Sequence, residues 1–246
     1  MKKLVHLSEG EVIAEFLKGE FYHREYDRDR AQFEAVVRDP RLSDEAENAL
    51  RRALLFRRRA TMWRELPADT QWWEVELEAT DLEQIKVFPR AQWRSIARGD
   101  FRAQKVAELL RRHYNPDHPN DLASKINALR MMMWLDGPRF TILLIGKNPS
   151  DPATVLEGNH RFVASLLLPP EVMRRRLRIV CGFSTSMDEC CWYKTSLPNL
   201  TRYLKNRIKH FWDGQTETEQ WLSNKSGGQA VEEYAQPAGL PVAKSK

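Results

Sequence analysis

The stretch that most constrains this chain is short. An apolar run, Ala153-Thr154-Val155-Leu156, passes through Glu157-Gly158 and continues as Asn159-His160-Arg161 into a helix-like segment at 162–168. A strand that ends at a glycine and turns straight into a helix leaves backbone N–H groups unbonded at the turn. Those donors and the helix dipole favour an anion there. Gly158 lets the backbone approach that anion, and Arg161 can fork two hydrogen bonds onto a phosphate or carboxylate. His160 can donate, accept or shuttle a proton. The same pattern also describes an ordinary strand–turn–helix junction in which Arg161 makes a structural ion pair.

The rest of the chain sets the context. Its 246 residues suffice for one large domain or two small ones, and 42% hydrophobic with 30% charged residues is ordinary for a globular protein. The net charge is +5, and the positive excess lies ahead of residue 213. It permits a nucleotide, nucleic-acid or acidic partner. Three cysteines, an odd number, argue against a disulfide framework. Met1-Lys2-Lys3 is not followed by an apolar signal segment, and apolar runs such as 131–135 are far too short to span a bilayer. These features predict a cytoplasmic protein with no membrane partner.

Helical spacing dominates the first 70 residues. Residues 1–20 predict a short amphipathic helix, with Ser8 and Glu11 as a capping box and Val12, Ile13, Phe16 and Leu17 inward. Residues 21–40 predict a second, with Tyr22, Tyr26, Phe33 and Val37 on one side. Residues 43–66 predict a third, capped by Ser43, with Ala46, Leu50, Ala53, Phe56, Ala60 and Trp63 inward. Its opposite face carries Arg51, Arg52, Arg57, Arg58, Arg59 and Arg64, which either pair with acids of the previous helix or lie on nucleic acid.

The period changes at Trp73, Val75 and Leu77, which alternate with glutamates as in a half-buried strand. Short helices follow at 93–97 and 102–113, then a helix at 121–134, where Leu122, Ile126, Leu129 and Met133 point inward and the Met131–Met133 run fills core. Residues 140–145 and 179–183 are almost wholly apolar and predict buried strands. Pro169-Pro170 closes the helix after the glycine turn, and Arg174, Arg175, Arg176 and Arg178 form a basic cluster. Cys190 and Cys191 are adjacent, so a disulfide between them would be strained, and packed thiols are expected. Leu197, Leu200, Leu204, Ile208 and Phe211 mark a last helix with a second basic face, Arg202, Lys205, Arg207, Lys209 and His210. Residues 213–246 read as a flexible tail.

From Trp72 to Phe183 the order of elements resembles the ParB/sulfiredoxin-like superfamily: a strand, Asp81-Leu82-Glu83-Gln84-Ile85, a short helix, a longer helix, a strand hairpin, and a glycine turn into a helix. Glu157-Gly158-Asn159-His160-Arg161 is similar to the Gly-Gly-Cys-His-Arg turn of sulfiredoxin and to the Asp-Gly-x-His-Arg turn of other members. The resemblance implies an α+β fold. A helical N-terminal region (1–70) would precede a small mixed-sheet domain with helices packed on it (71–212) and the tail (213–246), the helix at 121–134 being an insertion. It implies that Gly158, Asn159, His160 and Arg161 hold nucleotide phosphates, with Arg90 reaching the same site. Asn159 stands where sulfiredoxin has its cysteine, and an amide cannot replace a thiolate nucleophile, so cysteine-based sulfiredoxin chemistry is excluded. Glu157 is the nearest carboxylate, a candidate Mg²⁺ ligand or base, with His160 assisting.

The expected function is therefore a nucleotide-binding protein that uses a nucleoside triphosphate with Mg²⁺. It would be a phosphoryl-transfer enzyme (NTPase, kinase or nuclease) or an NTP-dependent switch. The alternatives are a non-catalytic DNA- or RNA-binding module acting through the basic faces, and a scaffold that has lost its ligand.

Overall fold

The computed structural model describes residues 1–89, 92–115, 117, 121–135 and 137–208. Two strands form the centre of the sheet, β3 (Phe140–Gly146) and β5 (Leu177–Phe183), paired in parallel. Their sequences, FTILLIG and LRIVCGF, are apolar on both sides of the pleat because both faces are covered. Ile142, Leu144, Ile179, Cys181 and Phe183 enter one core, while Leu143, Ile145 and Val180 enter a second on the opposite face. β2 (Gln71–Glu76) adds antiparallel to β5, and β1 (Lys2–Leu7) antiparallel to β2. β4 (Thr154–Glu157) adds antiparallel to β3, which gives the order β1-β2-β5-β3-β4. The fold is α+β, with helices packed on a five-stranded mixed sheet.

One face is covered by α1 (Glu9–Glu20), α2 (Asp27–Arg38) and α3 (Glu45–Trp63). The expected Ser8–Glu11 capping box starts α1. Residues 2–7, ahead of it, form a strand that sequence spacing did not disclose. β1 is an edge strand and buries only Leu7, so it carries no apolar alternation. Because β1 pairs with β2, the 1–70 region and the segment after it share one sheet. Tyr22, expected on the apolar side of the second helix, is exposed.

The inner face of α3 is wider than its apolar spacing predicts, and its N-cap differs by one residue. Asp44, not Ser43, is the N-cap, its carboxylate accepting from the Glu47 N–H at 3.0 Å. Ala60 and Trp63 are buried as expected and Leu50, Ala53 and Phe56 pack against the core, but Glu47, Arg51, Leu54, Leu55 and Met62 are buried as well, and Ala46 is exposed. Arg51 is fully buried, donating to Glu47 (3.0 Å), Asn48 (2.6 Å) and the carbonyls of Val36 and Arg41. Four of the remaining arginines pair across the helical layer, Arg58 and Arg59 with Glu20 at 2.7 Å, Arg57 with Asp29 and Arg52 with Glu9, while Arg64 is exposed and lies over the Phe56 ring.

The opposite face carries α4 (Ala79–Gln84), α5 (Gln92–Ala97), α6 (Ala103–Arg112), α7 (Leu122–Trp134), α8 (Asn159–Ser165) and α9 (Pro170–Arg176). α7 packs along α8. Its Met133 is buried, whereas Met131 and Met132 point outward rather than filling core. Pro170 opens α9, a helix not expected from the sequence, since proline suits a first helical turn. Arg176 of the basic cluster is buried and donates to the carbonyls of Met133 (2.9 Å) and Gly137 (2.8 Å), and Arg178 donates to Glu74 at 2.9 Å.

All three cysteines are buried, and burial pushes the Cys181 thiol well above its usual range. Residues 197–208 are helical. The tail expected at 213–246 lies outside the described residues. Among the described residues no helix is long and apolar enough to cross a membrane.

Candidate functional site

The β4–α8 junction has the expected form. Gly158 caps α8 at φ 89°, a left-handed conformation, and a Cβ there would stand 2.7 Å from Ile142 Cδ1. Both conformation and space thus require glycine.

The three residues that follow each have a different partner. Asn159 is spent on structure. Its Oδ1 accepts from the Phe88 N–H at 2.9 Å and its Nδ2 donates to the Val155 carbonyl at 3.3 Å. That amide fastens the 86–88 segment beside β4, where Lys86 also bonds Ala153 and Val155. His160 is half-buried with its ring 5.1 Å from that of Trp93. Burial, and then the charges of Lys125 and Arg161, hold its pKa below the usual histidine value, so the ring is neutral at pH 7. Arg161 donates to Glu157 at 3.1 Å, and its guanidinium lies 5.7 Å from the centre of the Phe140 ring. Arg90, the remaining expected phosphate ligand, lies outside the described residues.

The turn lines a cleft of about 600 Å³ between α1 and the β3–β4 edge of the sheet. Glu157 to Arg161 and Leu129 of α7 form one side, and Glu15, Lys18, Gly19 and His23 the other, with Arg139 at its margin. Its acids are already matched. Glu15 pairs with Lys18 at 2.8 Å and accepts from the Thr141 hydroxyl at 2.8 Å, Glu20 pairs with Arg58 and Arg59, and Glu157 pairs with Arg161. Burial raises the Glu15 pKa, but the hydrogen bonds from Lys18 and Thr141 and the charges of Lys18 and Arg178 outweigh it, and the carboxyl lies below its usual range.

Lys18, Gly19 and Arg139 were missed by sequence reasoning. Gly19 offered a signal, because glycine inside a helix needs a packing reason; that reason is Arg161, which lies against it. Among the described residues no group of three or more His, Cys, Asp or Glu side chains is placed to hold a metal ion. Glu157 would be a single protein ligand, the remaining positions of a Mg²⁺ ion falling to phosphate oxygens and water. Compared with known protein families, curated proteins and solved structures, the chain matches none.

Proposed function

We propose that the cleft between α1 and the 157–161 turn binds the phosphates of a nucleotide, in a phosphoryl-transfer enzyme or an NTP-dependent switch. The observation that carries this reading is the convergence of the Gly158 turn with Arg161, Lys18 and Arg139 on one cleft, where Lys18 and Arg161 are each held by a carboxylate, Glu15 and Glu157, that a phosphate would displace. The resemblance of the turn to ParB/sulfiredoxin-like phosphate turns supports it. In this reading a phosphate competes with Glu157 for the Arg161 guanidinium. Its arrival releases the Glu157 carboxylate to take Mg²⁺ or to act as a base, and neutral His160 contributes a hydrogen bond rather than a charge. Asn159 serves as the fastener of the turn.

The alternative, a non-catalytic nucleic-acid-binding module, would use the basic faces. On α3, Arg52, Arg57, Arg58 and Arg59 are engaged with Glu9, Asp29 and Glu20, as the cleft cations are with their own acids, but among the described residues no glycine turn accompanies them to hold a phosphate.

Thermal unfolding with ATP, CTP, GTP and ADP, with and without Mg²⁺, tests the proposal. A ligand that binds only the native state at 100 times its Kd stabilises it by about 2.7 kcal/mol. The expected result is a rise in Tm with at least one nucleotide that is lost in Arg161→Ala and reduced in Arg139→Ala. No rise with any nucleotide in a folded sample would refute it.

A further inference from the structure

The helix at 197–208 is amphipathic the wrong way round for a helix packed on a core. Ser196 caps it, its hydroxyl accepting from the Asn199 N–H at 3.3 Å. Asn199, Arg202, Tyr203 and Asn206 bind it to the rest of the protein. Asn199 is buried and its Nδ2 donates to the carbonyls of Asp188 and Lys194, both at 2.8 Å, and Asn206 bonds Glu65. Arg202 pairs with Glu189 at 2.7 Å, and the Tyr203 ring meets Trp192 edge-on. The apolar residues face away: Leu197 is 80% exposed, Leu200 37%, Leu204 54% and Ile208 61%. Their spacing of three and four residues makes one continuous outward stripe. By helical geometry Lys205 and Arg207 stand about 80° to either side of it. From Cys190 to Trp212 the sequence contains no acidic residue, while Lys194, Arg202, Lys205, Arg207 and Lys209 are all cationic.

We propose that the outward face of this helix docks on an anionic lipid surface. Three features select that occupant. An apolar stripe flanked by cations is complementary to a negatively charged interface, where the aliphatic side chains enter the acyl boundary and the cations reach the headgroups. A second copy of the stripe would bring Lys205 and Arg207 against their own kind. A protein groove that wraps a helix needs several of its faces, whereas Asn199, Arg202 and Asn206 tie this one down and leave one face, which suits a flat surface. The short apolar runs of the chain bear on spanning a bilayer, and a helix lying in the interface needs none.

Sedimentation of the full-length protein with vesicles decides the matter. The probes are phosphatidylcholine alone and phosphatidylcholine mixed with phosphatidylglycerol, each at low and high salt. The expected result is binding to the mixed vesicles only, weakened by salt. Leu204→Ser with Ile208→Ser, and separately Lys205→Ser with Arg207→Ser, should each lower the partition coefficient at least about tenfold. Circular dichroism should be unchanged, since all four side chains are exposed. Binding that survives the Leu204/Ile208 exchange would overturn the proposal in favour of a merely cationic surface. Absence of binding to either vesicle would overturn it as well; self-association lost in the same variant would then assign the stripe to a second copy.

Discussion

Arg161 lies over the backbone of Gly19, with Nη1 3.3 Å from where a Cβ on Gly19 would stand. This contact joins the last turn of α1 to the glycine turn at the end of β4. Glycine costs a helix about 0.5–1 kcal/mol relative to alanine, and the group it makes room for is the far end of a flexible side chain. Gly19→Ala should therefore raise stability by up to about 1 kcal/mol in urea unfolding, the guanidinium yielding by a few tenths of an ångström. The proposed nucleotide-dependent rise in Tm should shrink in the same variant. A net loss of stability would mean that Arg161 is held too firmly to move.

Gly158 is the opposite case. Alanine there meets both the left-handed backbone, worth about 1–2 kcal/mol, and Ile142 Cδ1 at 2.7 Å. Gly158→Ala should destabilise by at least about 2 kcal/mol. Ile142→Val removes the obstructing methyl, so the double variant should be more stable than the sum of the single changes predicts. Strict additivity would show that the backbone alone makes the difference.

The sheet and the turn were legible because they depend on local chemistry. Continuous apolar runs at 140–145 and 179–183 mark strands covered on both faces, and Gly158 marks a left-handed turn. β1 escaped because an edge strand needs no apolar alternation. The burial of Glu47 and Arg51 on α3 escaped because they neutralise each other inside, and hydrophobic spacing assigns every charge to the outside. The second wall of the cleft could not be read at all: Gly19 meets Arg161, and Lys18 joins the same cleft, only after the strands have paired. The outward direction of Leu204 and Ile208 depends on Asn199 and Asn206 winning the inner face, which periodicity does not rank.

His160 should titrate below the ordinary histidine value of about 6.5. The sign follows from linkage. The folded state holds the neutral ring, so the unfolded state binds the proton more readily and stability falls as pH drops below about 6.5 through the folded value. Urea unfolding between pH 7 and 5 should show that decline, and His160→Gln should flatten it. Histidine-selective NMR that finds this ring titrating above 6.5 would contradict the neutral role assigned to it.

A separate acid limb should come from Glu47. Burial raises its pKa, but hydrogen bonds from the Arg41 side chain and backbone and from Arg51 lower it further, leaving the carboxyl below its usual range. Its contribution is present above the unfolded value of about 4.3 and is lost as pH falls through the folded one. Glu47→Gln should be less stable at pH 7 and should show a shallower decline below pH about 4.3.

Arg51 tests whether this buried pair stabilises the N-terminal layer or merely avoids a penalty. Its side chain is fully buried, and its Nε has no hydrogen-bond partner among the described residues. Removing one partner of a buried pair costs about 3–5 kcal/mol, most of it the penalty of the charge left behind. Arg41 still hydrogen-bonds Glu47 at 2.6 Å, so Arg51→Met should fall toward the lower end of that range. Arg51→Met with Glu47→Leu removes both charges and should recover part of the loss, because apolar replacements of similar volume satisfy the same space. Urea midpoints of the two single variants and the double variant give the coupling. If the double variant is as unstable as the sum of the singles, the side chains act independently. Arg51 would then owe its burial to the Val36 and Arg41 carbonyls that it ties together.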